Sequence, residues 1–504
     1  MGVIQRQSLK YTIVNFVGTF IGFLSVIFIY PLEKDLNGYF QYLFSAASLL
    51  VPILGLGIHA AIVKYYPVFV QKQRQDHFLS FTLSLATLAA IGTTLILVIM
   101  YRFSEGVFAY ILPNYDFIKE NITQVLILSY LLLYASIFFF HATVRYRIVI
   151  PDIIYTLALK LFLPVLVLMV FWGWIDRAYF AYVVLMYFFV VMLLLAVYLF
   201  YLDKHRFRPS WDVLDKTEYK GFFSYMGFAF LNGLGATLAL RLDIIMIAGM
   251  INTHAVYIYT TIMIISNVIE IPAKALNQIA SPVISNSWSQ GDTQNIKDIY
   301  QQSSVYGWIG GLFLFLLLFF IWGDLLHLMP AKFDISLQEV LTIFALLSAA
   351  RIMDLVTGVN SVIISYSESF RFHMYFLLAM GAINIVLNYF FIAKYGVVGA
   401  AMATFVAYIV FNILKHLLLK YRYGFFIEWK DHYRILGVGI IVFGLMYLLP
   451  VSFHPIFNII IRSSLTSILF FSLIYWVNPG GDIRNIVKGF LDKYSWVLSK
   501  VKHR

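Results

Sequence analysis

The sequence predicts an all-α, polytopic membrane protein of about fourteen transmembrane helices, arranged as two six-helix bundles and a further pair of helices at the C-terminal end. Three observations predict it. Hydrophobic residues make up 61% of the 504 and charged residues 12%, where a soluble domain carries roughly 25% charged residues, so a soluble fold has no means of hiding this much apolar surface. The apolar runs are continuous, as from Leu126 to Phe140 and from Leu312 to Trp322; a membrane barrel would alternate in ten-residue strands. The lysines and arginines cluster at the ends of these runs and favour one side of the membrane.

A spanning helix needs about 20 mostly apolar residues. Spans are predicted near 11–30, 40–63, 79–101, 123–143, 153–174 and 178–201. The polar, basic stretch LDKHRFRPSWDVLDKTEYKG follows at 202–221, and spans resume near 222–250, 255–280, 304–328, 338–364, 372–392, 396–418, 433–450 and 456–477. The expected organisation is an N-terminal bundle over 1–201, a cytoplasmic linker over 202–221, a second bundle over 222–418, two additional helices over 419–478 and a basic tail over 479–504. The N-terminal MGVIQRQSLK and the apolar run after it lack a small-residue cleavage site and read as an uncleaved first helix. In the tail, Ile483, Ile486, Val487, Phe490, Tyr494, Val497 and Val501 share one helical face, which predicts a helix lying on the cytoplasmic surface; a basic tail that only sets topology reads equally well.

An even number of spans puts both termini on one side, and the positive-inside rule makes that side cytoplasmic. About 25 Lys and Arg then fall inside, while Lys34, Arg102, Lys119, Arg177, Lys332 and Lys394 fall outside. The net charge of +11 is therefore an orientation signal, and no nucleic-acid partner is expected. The lipid bilayer is the expected surrounding partner. With no Cys in the chain, disulfides, thiolate metal sites and catalytic cysteines are excluded.

Two regions look alike at an offset of roughly 220 residues. GYFQYLFSAASLL from Gly38 resembles VYIYTTIMIISNV from Val256, and WIDRAYFAYVVLMYFF from Trp174 parallels YGVVGAAMATFVAYIV from Tyr395. Apolar helices share such similarity by chance often enough that this alternative stays open.

Charges within spans are costly and so mark functional candidates. They are Lys160, Arg241, Asp243, Glu270, Lys274, Arg351, Asp354 and Arg462. Their excess of positive charge suits a cavity that receives an anionic group such as a phosphate. Against this, Glu270 with Lys274 at i,i+4 and Arg351 with Asp354 at i,i+3 have the spacing of local neutral pairs. Arg241 and Asp243 point to different helix faces, so each is expected to find a partner on another helix or to line a wet cavity. Helix breakers are the second group: Pro52 with Gly55, Pro164, Pro272 and Pro282 are candidate hinges, Pro52 and Pro272 falling at matching points of the two halves. His59 and His141 lie in or at spans with no second titrating group at helical spacing. No metalloprotease, phosphate-loop or nucleophile-elbow motif is present, no metal site is expected, and no catalytic residue is assigned.

Three stretches, LNGYFQYLFSAASLLVPILGLGIHAAIVKYYP, RLDIIMIAGMINTHAVYIYTTIMIISNVIEIPAKALNQIASPVISNSW and NIVLNYFFIAKYGVVGAAMATFVAYIV, resemble bacterial polysaccharide and O-antigen flippases of the multidrug/oligosaccharidyl-lipid/polysaccharide (MOP) exporter superfamily. The resemblance implies a MATE-like fold in the bacterial inner membrane. It further implies a non-enzymatic flippase that moves an undecaprenyl-pyrophosphate-linked polysaccharide repeat unit to the periplasmic leaflet by rocking of two lobes. On that basis Lys160, Arg241, Lys274 and Arg351 are candidates to meet the pyrophosphate, Tyr257 and Tyr259 to meet sugar faces, and polysaccharide polymerase or export machinery to act as partner. No cofactor is implied, and a coupling ion, Na+ or H+, is left open. Two alternatives remain. A cation-coupled drug exporter of the same superfamily is disfavoured by the lack of Asp or Glu in the first span but kept open by Asp243 and Glu270. A membrane polymerase or ligase is disfavoured because the longest outside segment, near Arg102 to Asn121, has no acid/base constellation.

Overall fold

The computed structural model describes residues 17–145, 147–203, 214–331, 333–449, 453–485 and 488. Among them there are helices and no strand. The helices are α1 (Val17–Phe28), α2 (Lys34–Gly55), α3 (Ile58–Gln71), α4 (Gln75–Ile111), α5 (Tyr115–Thr143), α6 (Val149–Phe171), α7 (Phe180–Asp203), α8 (Lys216–Met250) and α9 (Thr253–Gln290). They continue with α10 (Thr293–Leu328), α11 (Leu337–Val356), α12 (Asn360–Tyr366), α13 (Phe370–Tyr423), α14 (Trp429–Leu448) and α15 (Pro455–Val477).

Eleven of these are long and apolar enough to cross a membrane, or twelve if α11 and α12, bent by 51°, form one span. The described helices alone do not confirm the expected count of fourteen. The predicted first span, 11–30, is described only from residue 17, where α1 is shorter than a span. Two predicted spans also fall in the single 54-residue helix α13. A straight helix of that length would measure about 80 Å, more than twice the roughly 30 Å hydrocarbon core. Gly396 breaks it with φ 58° and ψ −135°. Residues eight apart on a straight helix lie about 12 Å apart, yet a Cβ on Gly399 would overlap the carbonyl of Phe391, so α13 doubles back as a hairpin.

The chain forms two compact units. The first comprises Met1–Thr261, Met329–Ala331 and Leu377–Ala403. Its core includes Leu54, Ile58, Phe69, Phe78, Phe81, Phe222 and Met226. Here the predicted span 40–63 is broken: the Leu56 amide donates to the Pro52 carbonyl at 2.9 Å, Leu56 is left-handed at φ 46° and Gly57 at φ 81°. A side chain on Gly57 would run into the α8 backbone at Met226 and Phe230, so only glycine lets the break seat on α8. Holding Leu56 in this region costs about 1–3 kcal/mol, which persists only where packing over-determines it. The first unit also contains the start of α8. It is capped by a reciprocal Asp215–Glu218 box, which carries the helix into the stretch read as linker; residues 204–213 of that linker lie outside the described residues.

The second unit comprises Ile262–Leu328, Lys332–Phe376 and Thr404–Arg504. Val305, Leu312, Leu316 and Phe320 of α10 pack on Ile435, Val438 and Val442 of α14 and on Phe470 and Ile474 of α15. Pro272 falls just after a 3-10 turn at Asn267–Glu270, at the start of the helical segment that follows, where a missing amide costs least. A Cβ on Gly310 would stand 3.0 Å from its ring, so α10 packs closely on this turn. A Ser336–Glu339 capping box starts α11. Most of the predicted amphipathic tail lies outside the described residues.

Candidate functional site

The intramembrane charges of the first unit behave in two ways. Asp243, on α8, is 4% exposed, accepts the Tyr259 hydroxyl at 2.6 Å and accepts the Asn388 amide at 2.8 Å. Asn388 also donates to the Asn384 side chain. Charge-assisted hydrogen bonds of this kind are what permit a carboxylate at membrane depth. The i,i+4 asparagines of α13 carry no formal charge, so in the sequence only their helical spacing marks them.

Arg241 and Lys160 are different. Both are half-buried, and neither has a carboxylate within ion-pair distance among the described residues. The Arg241 guanidinium stands 5.3 Å from the Phe44 ring centre, with Tyr155 beside it. Tyr155 belongs to a π-helical turn at Ile153–Leu157 within α6, an extra residue of the kind that re-aims side chains at functional sites. Lys160 follows that turn, with Asp152 in electrostatic range and its Nζ 3.4 Å from where a Cβ on Gly18 would stand. Pro164 removes the amide that the Lys160 carbonyl would otherwise accept. Two half-buried cations, one of them against aromatic rings, suit a multivalent anion.

The second unit pairs its charges between helices. Arg351, 7% exposed, lies 2.8 Å from Glu270, while Lys274 lies 3.5 Å from the same carboxylate and is 69% exposed. Arg351 also donates to the Tyr408 hydroxyl. Asp354 does not pair with Arg351 as the i,i+3 spacing suggested. It takes Lys415 at 3.2 Å. The Lys415 side chain is 1% exposed. Arg462 lies 3.2 Å from Asp324, and Asn458 donates to Asp324 at 2.8 Å; Asp324, inside the predicted span 304–328, is a single charge that a long apolar run masks.

The remaining candidates find local roles. His59 contacts the Ser136 hydroxyl at 2.6 Å and His141 the Thr82 hydroxyl at 2.8 Å. Tyr257 and Tyr259 are fully buried. Gly55 ends α2, and the positive φ angles fall on the next two residues. Pro164 lies inside α6 and Pro282 inside α9. Among the described residues no group of three or more His, Cys, Asp or Glu is arranged to hold a metal.

Many membrane-length helices, a broken span in each unit and charges gathered at membrane depth define a multi-pass membrane protein. Its fold is shared with solved structures of two membrane transport proteins. It matches a structure described as lipid II flippase MurJ in an inward closed conformation, with a TM-score of 0.70 at 14% identity over 92% of this chain and 98% of that one. It also matches the inward-facing conformation of a multidrug-resistance MATE transporter of the MOP superfamily, with a TM-score of 0.55 at 14% identity over 80% and 94%. The superfamily resemblance of the sequence is thus met at the level of fold. No family model matches the sequence, and no curated protein does.

Proposed function

We propose that the protein is a flippase for an anionic lipid-linked oligosaccharide, carrying an undecaprenyl-pyrophosphate-linked polysaccharide repeat unit from the cytoplasmic to the periplasmic leaflet of a bacterial inner membrane by alternating access. The observation that carries this reading is the pair Arg241 and Lys160, cations held at membrane depth with no carboxylate in ion-pair reach among the described residues. A cation at membrane depth with no carboxylate in direct contact is costly, and a pyrophosphate supplies a complement. The lipid II flippase with which the chain shares its fold supports a lipid-linked cargo. The termini are taken as cytoplasmic from the Lys/Arg distribution, and polymer-assembly or export machinery is the expected partner.

The test is reconstitution in vesicles with a fluorescent polyprenyl-pyrophosphate-linked saccharide. Arg241→Ala and Lys160→Ala, each expressed and folded normally, are expected to lower the flipping rate about tenfold or more, one charge-assisted contact being worth roughly 1.5–3 kcal/mol. Full activity in both variants overturns the reading.

A second reading, a cation-coupled multidrug exporter, is favoured by the buried Asp243, Tyr259, Asn384 and Asn388 cluster, whose Asn388 Oδ1 is an unsatisfied acceptor. The same cluster suits a coupling ion, Na+ or H+, for a flippase. Drug efflux without saccharide flipping in the same vesicles selects the exporter.

A further inference from the structure

We propose that the break between α11 and α12 is a monovalent-cation site whose cation is part of the chain: the Lys415 ammonium fills it. α11 ends at Val356 and α12 begins at Asn360, with Gly358 between them at φ 57°. The negative end of a half-helix, a carboxylate and a hydroxyl oxygen together form the hard-oxygen donor set by which discontinuous membrane helices hold alkali ions. All three are present: the C-terminal end of α11, Asp354 in its last turn, and Ser361 in the first turn of α12. The Lys415 Nζ stands at that position, 3.2 Å from Asp354 Oδ1 and 3.1 Å from Ser361 Oγ. It also lies 4.0 Å from the Phe411 ring centre.

The break is held open as a site by its surroundings. The Val356 carbonyl accepts the Ser304 hydroxyl, the Val359 amide donates to Ser303 Oγ at 3.2 Å, and the Thr357 hydroxyl donates to Asn412 at 2.8 Å. Ser304 is anchored in turn by His432 at 2.8 Å. The backbone freed by the break is therefore satisfied by α10 and by the second arm of α13, leaving the Asp354 and Ser361 oxygens for the cation. His373, on the first turn of α13, is in electrostatic range of both Lys415 and Asp354. Asp354 is 37% exposed while Lys415 is 1% exposed, so the carboxylate can be reached by water and by an ion if the ammonium is removed. An ion carried on a side chain cannot be exchanged across the membrane, so this break needs neither sodium nor potassium, whatever the protein transports.

The test uses the purified full-length protein and its thermal unfolding in choline, sodium or potassium chloride at equal ionic strength. Lys415→Met is expected to unfold at a lower temperature than wild type in choline chloride and to recover by about 2 °C or more, saturably, in sodium or potassium. Lys415→Met/Asp354→Asn is expected to show no ion response beyond that of wild type, which separates this site from any other ion site in the chain. An ion response in Lys415→Met equal to that of wild type, or a recovery that persists in the double variant, overturns the proposal. Should Lys415→Met not fold, Lys415→Gln keeps a donor to Ser361 and carries the same comparison, and a lack of ion-selective recovery there overturns it equally.

Discussion

Glu270 lies 2.8 Å from Arg351 on another helix and 3.5 Å from Lys274 on its own. The closer partner is the buried one, because a guanidinium removed from water gains most from a carboxylate in direct contact, whereas the exposed Lys274 is already solvated. Arg351→Gln is expected to lower stability by about 3 kcal/mol, and Lys274→Ala by less than about 0.5 kcal/mol. Thermal unfolding in detergent checks both, and equal effects from the two substitutions would count against this division.

The Tyr259 hydroxyl is a donor to a buried carboxylate. Tyr259→Phe is expected to cost about 1–3 kcal/mol in wild type and less in an Asp243→Asn background, where the acceptor is no longer charged. A double-mutant cycle with a coupling near zero would show that the two groups do not depend on one another.

Arg462 and Asp324 join α15 to α10, with the Arg462 guanidinium also donating to the Phe320 carbonyl at 2.9 Å. Arg462→Met leaves Asp324 with Asn458 alone, so it is expected to destabilise the protein more than Arg462→Met/Asp324→Met, which removes both charges. Unfolding midpoints in the reverse order would contradict the pairing.

A Cβ on Gly38 would overlap the Thr253 carbonyl oxygen, whereas nothing lies within 4 Å of where one on Gly22 would stand. Gly38→Ala is expected to cost about 3 kcal/mol or to abolish recovery of monodisperse protein, and Gly22→Ala to change stability by less than about 0.5 kcal/mol. Size-exclusion profiles of the two variants decide it.

At the surface of the first unit, Lys72 lies 2.9 Å from Asp215 and 2.5 Å from Glu218, and these hydrogen bonds hold its ammonium above the usual lysine value. A value raised by folding means that the contribution is complete below the ordinary lysine pKa of about 10.4 and lost as pH rises through the raised one. Because Lys72 is solvated and screened, Lys72→Met is expected to leave the unfolding midpoint unchanged from about pH 6 to 9. A pH-dependent difference from wild type within that window would be inconsistent with a screened pair.

The sequence by itself determined that the chain is all-helical and membrane-embedded and where most spans run. Hydropathy is local, so a run of 20 apolar residues declares itself without reference to its neighbours. Only the tertiary structure decided which partner each charge takes. Spacing along one helix suggested Glu270 with Lys274, which lie 3.5 Å apart, and Arg351 with Asp354, but Arg351 and Asp354 turn to Glu270 and Lys415 on other helices, since the faces that meet are set by packing between helices. The same holds for the turn at Gly396, the break at Leu56 and Gly57, and the burial of Lys415. What the sequence could not contain in any local window was proximity between residues far apart in the chain, and that proximity separates the charges that are compensated from Arg241 and Lys160, which have no carboxylate in ion-pair reach among the described residues.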